Sequence, residues 1–239
     1  MQLIGKLFNS LYQWGRDCFF PLECLLCGQG DTLLCPSCFR KIECLRAEEC
    51  FLCGKKGVAD GICDGCKITS QINGVLVAWR YSQPEVKKII ESFKFNFIEE
   101  LASILSCSLV DCLLRSSLIE DVKDSIVIPI PLARQRYLQR GFNQAELIAS
   151  ELAACLSLNY SSDILTRKKN TQQQAKLNRE QRIVNMIEAF ECKKNDQIKD
   201  KNIFLIDDVF TSGATCMAAT EALKKAGAQK VFVLTIAHG

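Results

Sequence analysis

Eight of the fifteen cysteines fall into four pairs of one spacing: Cys24-x2-Cys27, Cys35-x2-Cys38, Cys50-x2-Cys53 and Cys63-x2-Cys66. Two residues between thiolates let both sulfurs of a pair bind one tetrahedral zinc at about 2.3 Å. The glycine after the first pair of each half, in CLLCG and CFLCG, permits the tight turn of a zinc knuckle. Four pairs supply the ligands of two Zn2+ ions. An all-cysteine site leaves no open coordination position, so the expected role of the metal is structural. Pairing in sequence order is the preferred reading; a cross-braced arrangement has the same spacing and stays open. Cys18 and Cys44 stand outside the pairs, as do Cys107, Cys112, Cys155, Cys192 and Cys216.

A second chemical signal lies in residues 203–216, IFLIDDVFTSGATC. A buried strand is expected to end in two adjacent carboxylates, Asp207 and Asp208. Thr211, Ser212, Gly213, Ala214 and Thr215 then lead into a helix. Small and hydroxyl residues at a helix N-terminus offer backbone N–H groups, hydroxyl donors and a positive dipole end to a phosphate. Two carboxylates beside an anion site make sense for a sugar phosphate: the acids accept from ribose hydroxyls while the loop holds the 5′-phosphate. A Walker B pair is the competing reading, but GxxxxGK[ST] occurs nowhere in the chain.

The elements that must position these groups follow from periodicity. Residues 1–16 show an apolar face at helical spacing, and 73–81 read as a strand in which Val75, Val77 and Trp79 alternate. Pro84 opens a helical pattern, PEVKKIIESFKF, and a second helical run spans 98 to about 119. Strands are expected at 126–130, 203–206 and 231–236, and helices at 143–156 and 215–226. Alternation of this kind gives an α/β fold with a mainly parallel sheet, whose ligand crevice lies at the carboxyl ends of the strands.

The 239 residues suit one to two domains, and 48% hydrophobic with 24% charged residues is a globular balance. A net charge of +3 is too small to mark a nucleic-acid binder by itself. No apolar run approaches the ~18–20 residues of a membrane helix. The first sixteen residues lack the layout of a secretory signal, and the cysteine count is odd. The expected compartment is therefore reducing and cytoplasmic.

The strand–DD–TSGAT–helix arrangement resembles the signature of type I phosphoribosyltransferases, which bind phosphoribosyl pyrophosphate (PRPP). Residues 127–149 (VIPIPLARQRYLQRGFNQAELIA), 165–190 (LTRKKNTQQQAKLNREQRIVNMIEAF) and 81–95 (YSQPEVKKIIESFKF), with the double cysteine module, resemble the ComF family of competence proteins. The resemblance implies a zinc-ribbon module over 1–70 and a type I phosphoribosyltransferase-like domain over 71–239. It implies PRPP binding by Asp207, Asp208 and the 211–215 loop, with Mg2+ carried by PRPP itself. Arg134, Arg136 and Arg140, after the first core strand, are expected to face pyrophosphate. Arg167 and Arg179 belong to the expected mobile loop, 167–185. Residues 131–182 hold nine Lys/Arg against four Asp/Glu, whereas 1–70 are balanced at eight each. A DNA contact is therefore expected on the arginine-rich segment, where Tyr137 and Phe142 could stack on bases or equally serve as packing residues.

The function implied is a PRPP-binding protein assisting uptake of single-stranded transforming DNA, with the competence helicase as a partner. It would work in the cytoplasm, at the inner face of the membrane only through partners. The alternatives are a nucleobase-salvage phosphoribosyltransferase and a non-catalytic DNA or helicase adaptor. No acid or base catalyst stands out; the single histidine, His238, follows the last strand.

Overall fold

A computed structural model describes residues 22–45, 47–95, 98–168, 189–193 and 195–239. The expected helix at 1–16, Cys18, Arg179 and nearly all of the expected mobile loop lie outside these residues. Two compact units form, 1–43 and 44–239.

In the first unit, Glu23 and Gly30 form an antiparallel bridge around the first CxxC. The Gly28 N–H donates to the Cys24 carbonyl at 2.8 Å. The short helix α1, Pro36–Phe39, follows, with Cys35 at its N-cap and Cys38 buried in it. The second unit opens with the same pattern. Glu49 bridges Lys56, the Gly54 N–H donates to the Cys50 carbonyl at 2.8 Å, and Cys63 caps helix α2, Asp64–Ser70. Gly28 and Gly54 sit at φ +75° and +74°, the left-handed backbone that the knuckle turn requires.

The sheet of the second unit contains β1 (Gly74–Arg80), β2 (Ile126–Pro129), β3 (Asn159–Tyr160), β6 (Asn202–Phe210) and β7 (Lys230–His238). Its order is β1-β7-β6-β2-β3, and every pairing is parallel. A short antiparallel ribbon, β4 (Leu165–Arg167) with β5 (Phe190–Cys192), stands apart from it. The central stretches of β6 (203–206) and β7 (231–234) read as continuous apolar runs because both of their faces are covered. Helices α4 (Leu101–Leu114) and α6 (Gln144–Leu156) pack on each other and on the sheet. Ile203, Leu205, Val231 and Val233 join a core cluster with Ala218, Ala219 and Leu223 of α8 (Ala214–Lys225). Helices α3 (Pro84–Phe95), α5 (Arg134–Arg140) and α7 (Asn195–Ile198) complete the named helices, with a 3-10 turn at Ser117–Asp121.

Two expectations change. The acidic pair does not end its strand: β6 runs on to Phe210, because β7 pairs with it as far as Phe210↔His238. The segment 131–142 is not all loop, since Arg134–Arg140 form helix α5, closed by Gly141 at φ +74°. No residue of α5 is buried, so no apolar stripe announced it.

Candidate functional site

The site follows from unequal strand lengths. On its β2 side, β6 is paired only as far as Pro129↔Ile206, with one further bond from the Ile130 N–H to the Ile206 carbonyl at 2.9 Å. Asp207 and Asp208 therefore lie beyond the end of β2, while β7 still holds their backbone on the other side. Between β2 and β6 the chain also reverses direction across the sheet: β3 lies outward of β2, and β7 and β1 outward of β6. This is the topological switch point where open α/β sheets bind ligands.

A cleft of ≈ 550 Å³ opens there, lined by both carboxylates, by Thr211 and Thr215, and by four cations, Lys94, Arg136, Arg140 and Arg167. Asp208 is the paired carboxylate: Lys94 Nζ lies 3.0 Å from its Oδ2 and Arg140 Nη1 3.9 Å from the same oxygen. Arg140 also donates to Gln144 Oε1 at 2.9 Å and stacks over Phe95 at 5.5 Å. Arg167 stacks over Phe190 at 5.3 Å. Burial lowers its pKa, the neighbouring Arg136 adds to this, and Asp207 opposes both. Asp207 accepts the Asp208 backbone N–H at 2.8 Å. Burial and the Asp208 charge push its pKa from 3.8 up to about 7, against the pull of that N–H, Lys94 and Arg136.

Gly213 forms the N-cap of α8 at φ +72°. The left-handed backbone favours glycine, and a Cβ there would meet Leu52 Cδ2 at 2.4 Å and Phe210 Cζ at 2.7 Å, so any larger residue must displace those side chains. Across the cleft, Asn143 caps α6 by accepting the Ala145 N–H at 3.2 Å and donates to the Ile130 carbonyl at 3.1 Å. That second bond ties the start of α6 to the end of β2. The buried Gln144 Nε2 has no hydrogen-bond partner among the described residues.

Seven of the residues expected from the sequence thus meet in one cleft: Asp207, Asp208, Thr211, Thr215, Arg136, Arg140 and Arg167. Ser212 is exposed, and Gly213 and Ala214 shape the turn into α8. Arg134 is exposed on α5 and is not among the cleft residues. Lys94 and Gln144 were missed. Lys94 follows Ile90 by four residues on the buried stripe of α3, which is Val86, Ile89, Ile90 and Phe93. A lysine at an apolar position was the available signal. Of the two proposed stacking residues, Tyr137 is 48% exposed while Phe142 is 8% exposed and packs on Phe93 at 5.8 Å. His238 lies between Phe51 (4.9 Å) and Phe210 (6.0 Å), and burial lowers its pKa.

The cysteines form two groups, Cys24, Cys27, Cys35, Cys38 and Cys50, Cys53, Cys63, Cys66, with all four sulfurs of each within 4.8 Å of one another. Pairing therefore runs in sequence order. The Cys27–Cys35 and Cys53–Cys63 Sγ separations are 3.7 Å and 3.6 Å. A tetrahedral zinc with bonds of about 2.3 Å has an edge of about 3.8 Å, so both groups fit the metal. Burial raises the Cys24 thiol, but the backbone N–H groups of Cys35, Cys27 and Leu26 outweigh it and bring the pKa to about 6. Cys50 is brought to about 6 by the same balance, with Cys63, Leu52 and Cys53 as donors. Amides turned toward a sulfur favour the thiolate a metal needs.

Residues 138–238 match the family model of the phosphoribosyl transferase domain. The chain is 29% identical to the competence protein ComFC of Bacillus subtilis over 95% of this chain and 90% of that protein. It is 26% identical to competence protein F of Haemophilus influenzae, over 92% and 98%. It is 28% identical to the DNA utilization protein YhgH of Salmonella typhimurium, over 89% and 95%.

Proposed function

We propose that this chain, which resembles the competence proteins ComFC and F over most of its length and carries two four-cysteine groups and a phosphoribosyltransferase-type α/β fold, binds PRPP and assists uptake of single-stranded DNA. The observation that carries the PRPP reading is the cleft itself. Two carboxylates stand beyond a strand end, between a glycine-capped helix start with Thr211 and Thr215 and a set of four cations. In this reading Thr211–Thr215 hold the 5′-phosphate, Asp207 and Asp208 accept from the ribose hydroxyls, and Arg136, Arg140, Arg167 and Lys94 face the pyrophosphate. Arg134 is assigned to the approach of the ligand rather than to the cleft, and Arg179 keeps its proposed role as a loop contact. Mg2+ would arrive on the oxygens of PRPP, shielding the leaving group.

Such a site lowers the barrier to phosphoribosyl transfer by fixing the ribose and spreading the charge that develops on departing pyrophosphate. The residues of this chain bind and orient; the acceptor would have to supply the nucleophile. The names of the relatives, competence protein and DNA utilization protein, support a place in DNA uptake. The exposed Tyr137 on the basic helix α5 supports a single-stranded DNA contact at the cleft mouth. The competence helicase is the proposed protein partner. No helix among the described residues is long and apolar enough to cross a membrane. The proposed place of action is the cytoplasm, where free thiolates persist for zinc.

Calorimetric titration of the zinc-loaded protein with PRPP and Mg2+ tests this reading. Micromolar binding that disappears in Asp207→Asn with Asp208→Asn, at unchanged zinc content, is expected. Equal affinity in that variant overturns the site assignment. Turnover with a free nucleobase would favour the salvage alternative, and a folded protein that binds DNA but no PRPP would favour the adaptor.

A further inference from the structure

The second cysteine knuckle reaches the turn that opens α8. Leu52, inside the Cys50–Cys53 loop, approaches Gly213 so closely that an added Cβ would lie 2.4 Å from its Cδ2. Phe51, its neighbour, sets its ring 6.2 Å from Phe210 and 4.9 Å from His238, at the ends of β6 and β7. The knuckle is anchored in turn: the Phe51 N–H donates to the Gly61 carbonyl at 2.9 Å, and the Val75 N–H of β1 donates to the Asp60 carbonyl at 2.8 Å. A Cβ on Gly61 would strike the Val75 carbonyl oxygen and the Phe51 ring, so this junction is as tight as the one at Gly213. Cys50, Cys63 and Phe210 belong to one buried cluster, with Phe51, Leu52 and Cys66 packed against it.

We propose that Phe51 and Leu52 are positioning residues for the 210–215 turn, and that the Cys50, Cys53, Cys63, Cys66 group acts as the brace that fixes them. Among the described residues the knuckle has one β-bridge of its own, Glu49 with Lys56. A hairpin that short is marginal by itself. Its four thiols fit one zinc, and a metal bond at each corner supplies the rigidity that the bridge does not. Backbone N–H groups that hold a phosphate must be aimed before the ligand arrives, and Leu52 and Phe51 form the wall that keeps them aimed. Metal retention in this group and anion binding at the turn are then linked, and such linkage works in both directions. The ligand arm of this inference rests on the PRPP reading; the positioning arm does not.

Leu52→Ala leaves every cysteine in place and is the test. Amide hydrogen exchange at 211–215 in the ligand-free, zinc-loaded protein is expected to quicken about tenfold, with both zinc equivalents retained, and Leu52→Met is expected to restore it. PRPP affinity should fall about tenfold in Leu52→Ala. Saturating PRPP should slow transfer of one zinc, and not the other, to a colorimetric chelator. Exchange at 211–215 equal to the parent overturns the inference. If the parent binds no PRPP, the PRPP reading fails while the exchange result still decides the positioning. If Leu52→Ala does not fold, the chelator arm on the parent decides: two zinc release rates indifferent to PRPP overturn the coupling.

Discussion

Lys94, in the last turn of α3, places its Nζ 3.0 Å from Asp208 Oδ2, so the better neutralised carboxylate of the acidic pair is held by a residue more than a hundred positions away. Both side chains are about one-seventh exposed, at 15% and 14%, which makes this a shielded pair rather than a surface one. Removing one partner of such a pair leaves the other poorly compensated. Lys94→Met should therefore lower stability by about 1–3 kcal/mol in denaturant melts. It should also weaken PRPP about tenfold or more while changing ribose 5-phosphate affinity much less, because the lost cation faces the pyrophosphate in our assignment. Equal losses for both ligands would place Lys94 elsewhere.

Asp207 has the opposite problem, a carboxyl raised from 3.8 to about 7 by burial and by Asp208. Between these values the folded protein keeps a proton that the unfolded chain has released. Asp207 therefore works increasingly against stability as pH rises from about 4 to about 7, and its full cost is present above that. Asp207→Asn should melt higher than the parent at about pH 8, with the gap shrinking toward pH 5. Comparison at each pH removes the contribution of the zinc ligands, which both proteins share. A gap independent of pH would show that the carboxyl has its ordinary pKa.

Tyr137 and Phe142 should separate cleanly. Phe142 is buried against Phe93, so Phe142→Ala should cost about 3–5 kcal/mol. Tyr137 is exposed, so Tyr137→Ala should leave the melt within about 0.5 kcal/mol of the parent. If α5 meets single-stranded DNA, the same change should weaken binding to an oligonucleotide by about 1–3 kcal/mol in fluorescence anisotropy. Unaltered DNA affinity would remove Tyr137 from the interface.

The two cysteine groups do not share ligands. Cys24→Ser with Cys27→Ser should remove one of two zinc equivalents by elemental analysis, and Cys50→Ser with Cys53→Ser should remove the other. Loss of both equivalents from either double variant would point to shared ligands instead. Only the second pair of substitutions should disturb exchange at 211–215, since Leu52 belongs to that knuckle.

The sequence alone carried the chemistry wherever chemistry is local. Four CxxC pairs, a strand running into Asp207 and Asp208, and a glycine ahead of α8 are contiguous patterns, and each is fixed by backbone geometry within a few residues. The parallel α/β sheet was legible for a related reason. Strands covered on both faces are apolar in long runs, and Ile203–Ile206 and Val231–Leu234 are. What required the tertiary structure was everything set by contact between distant segments. Cysteine spacing is the same for sequential and crossed pairing, and only the sulfur positions chose between them. The extension of β6 past β2 depends on a register with β7 that no local pattern contains. Lys94 read as one helix lysine among three until α3 was packed beside Asp208. The approach of Leu52 to Gly213 joins residues 161 positions apart at a left-handed turn that favours glycine. Local sequence specifies which groups can bind a metal or an anion, because valence and backbone conformation are properties of a few residues. Packing decides which of those groups face one another, because burial and charge compensation are properties of the folded whole.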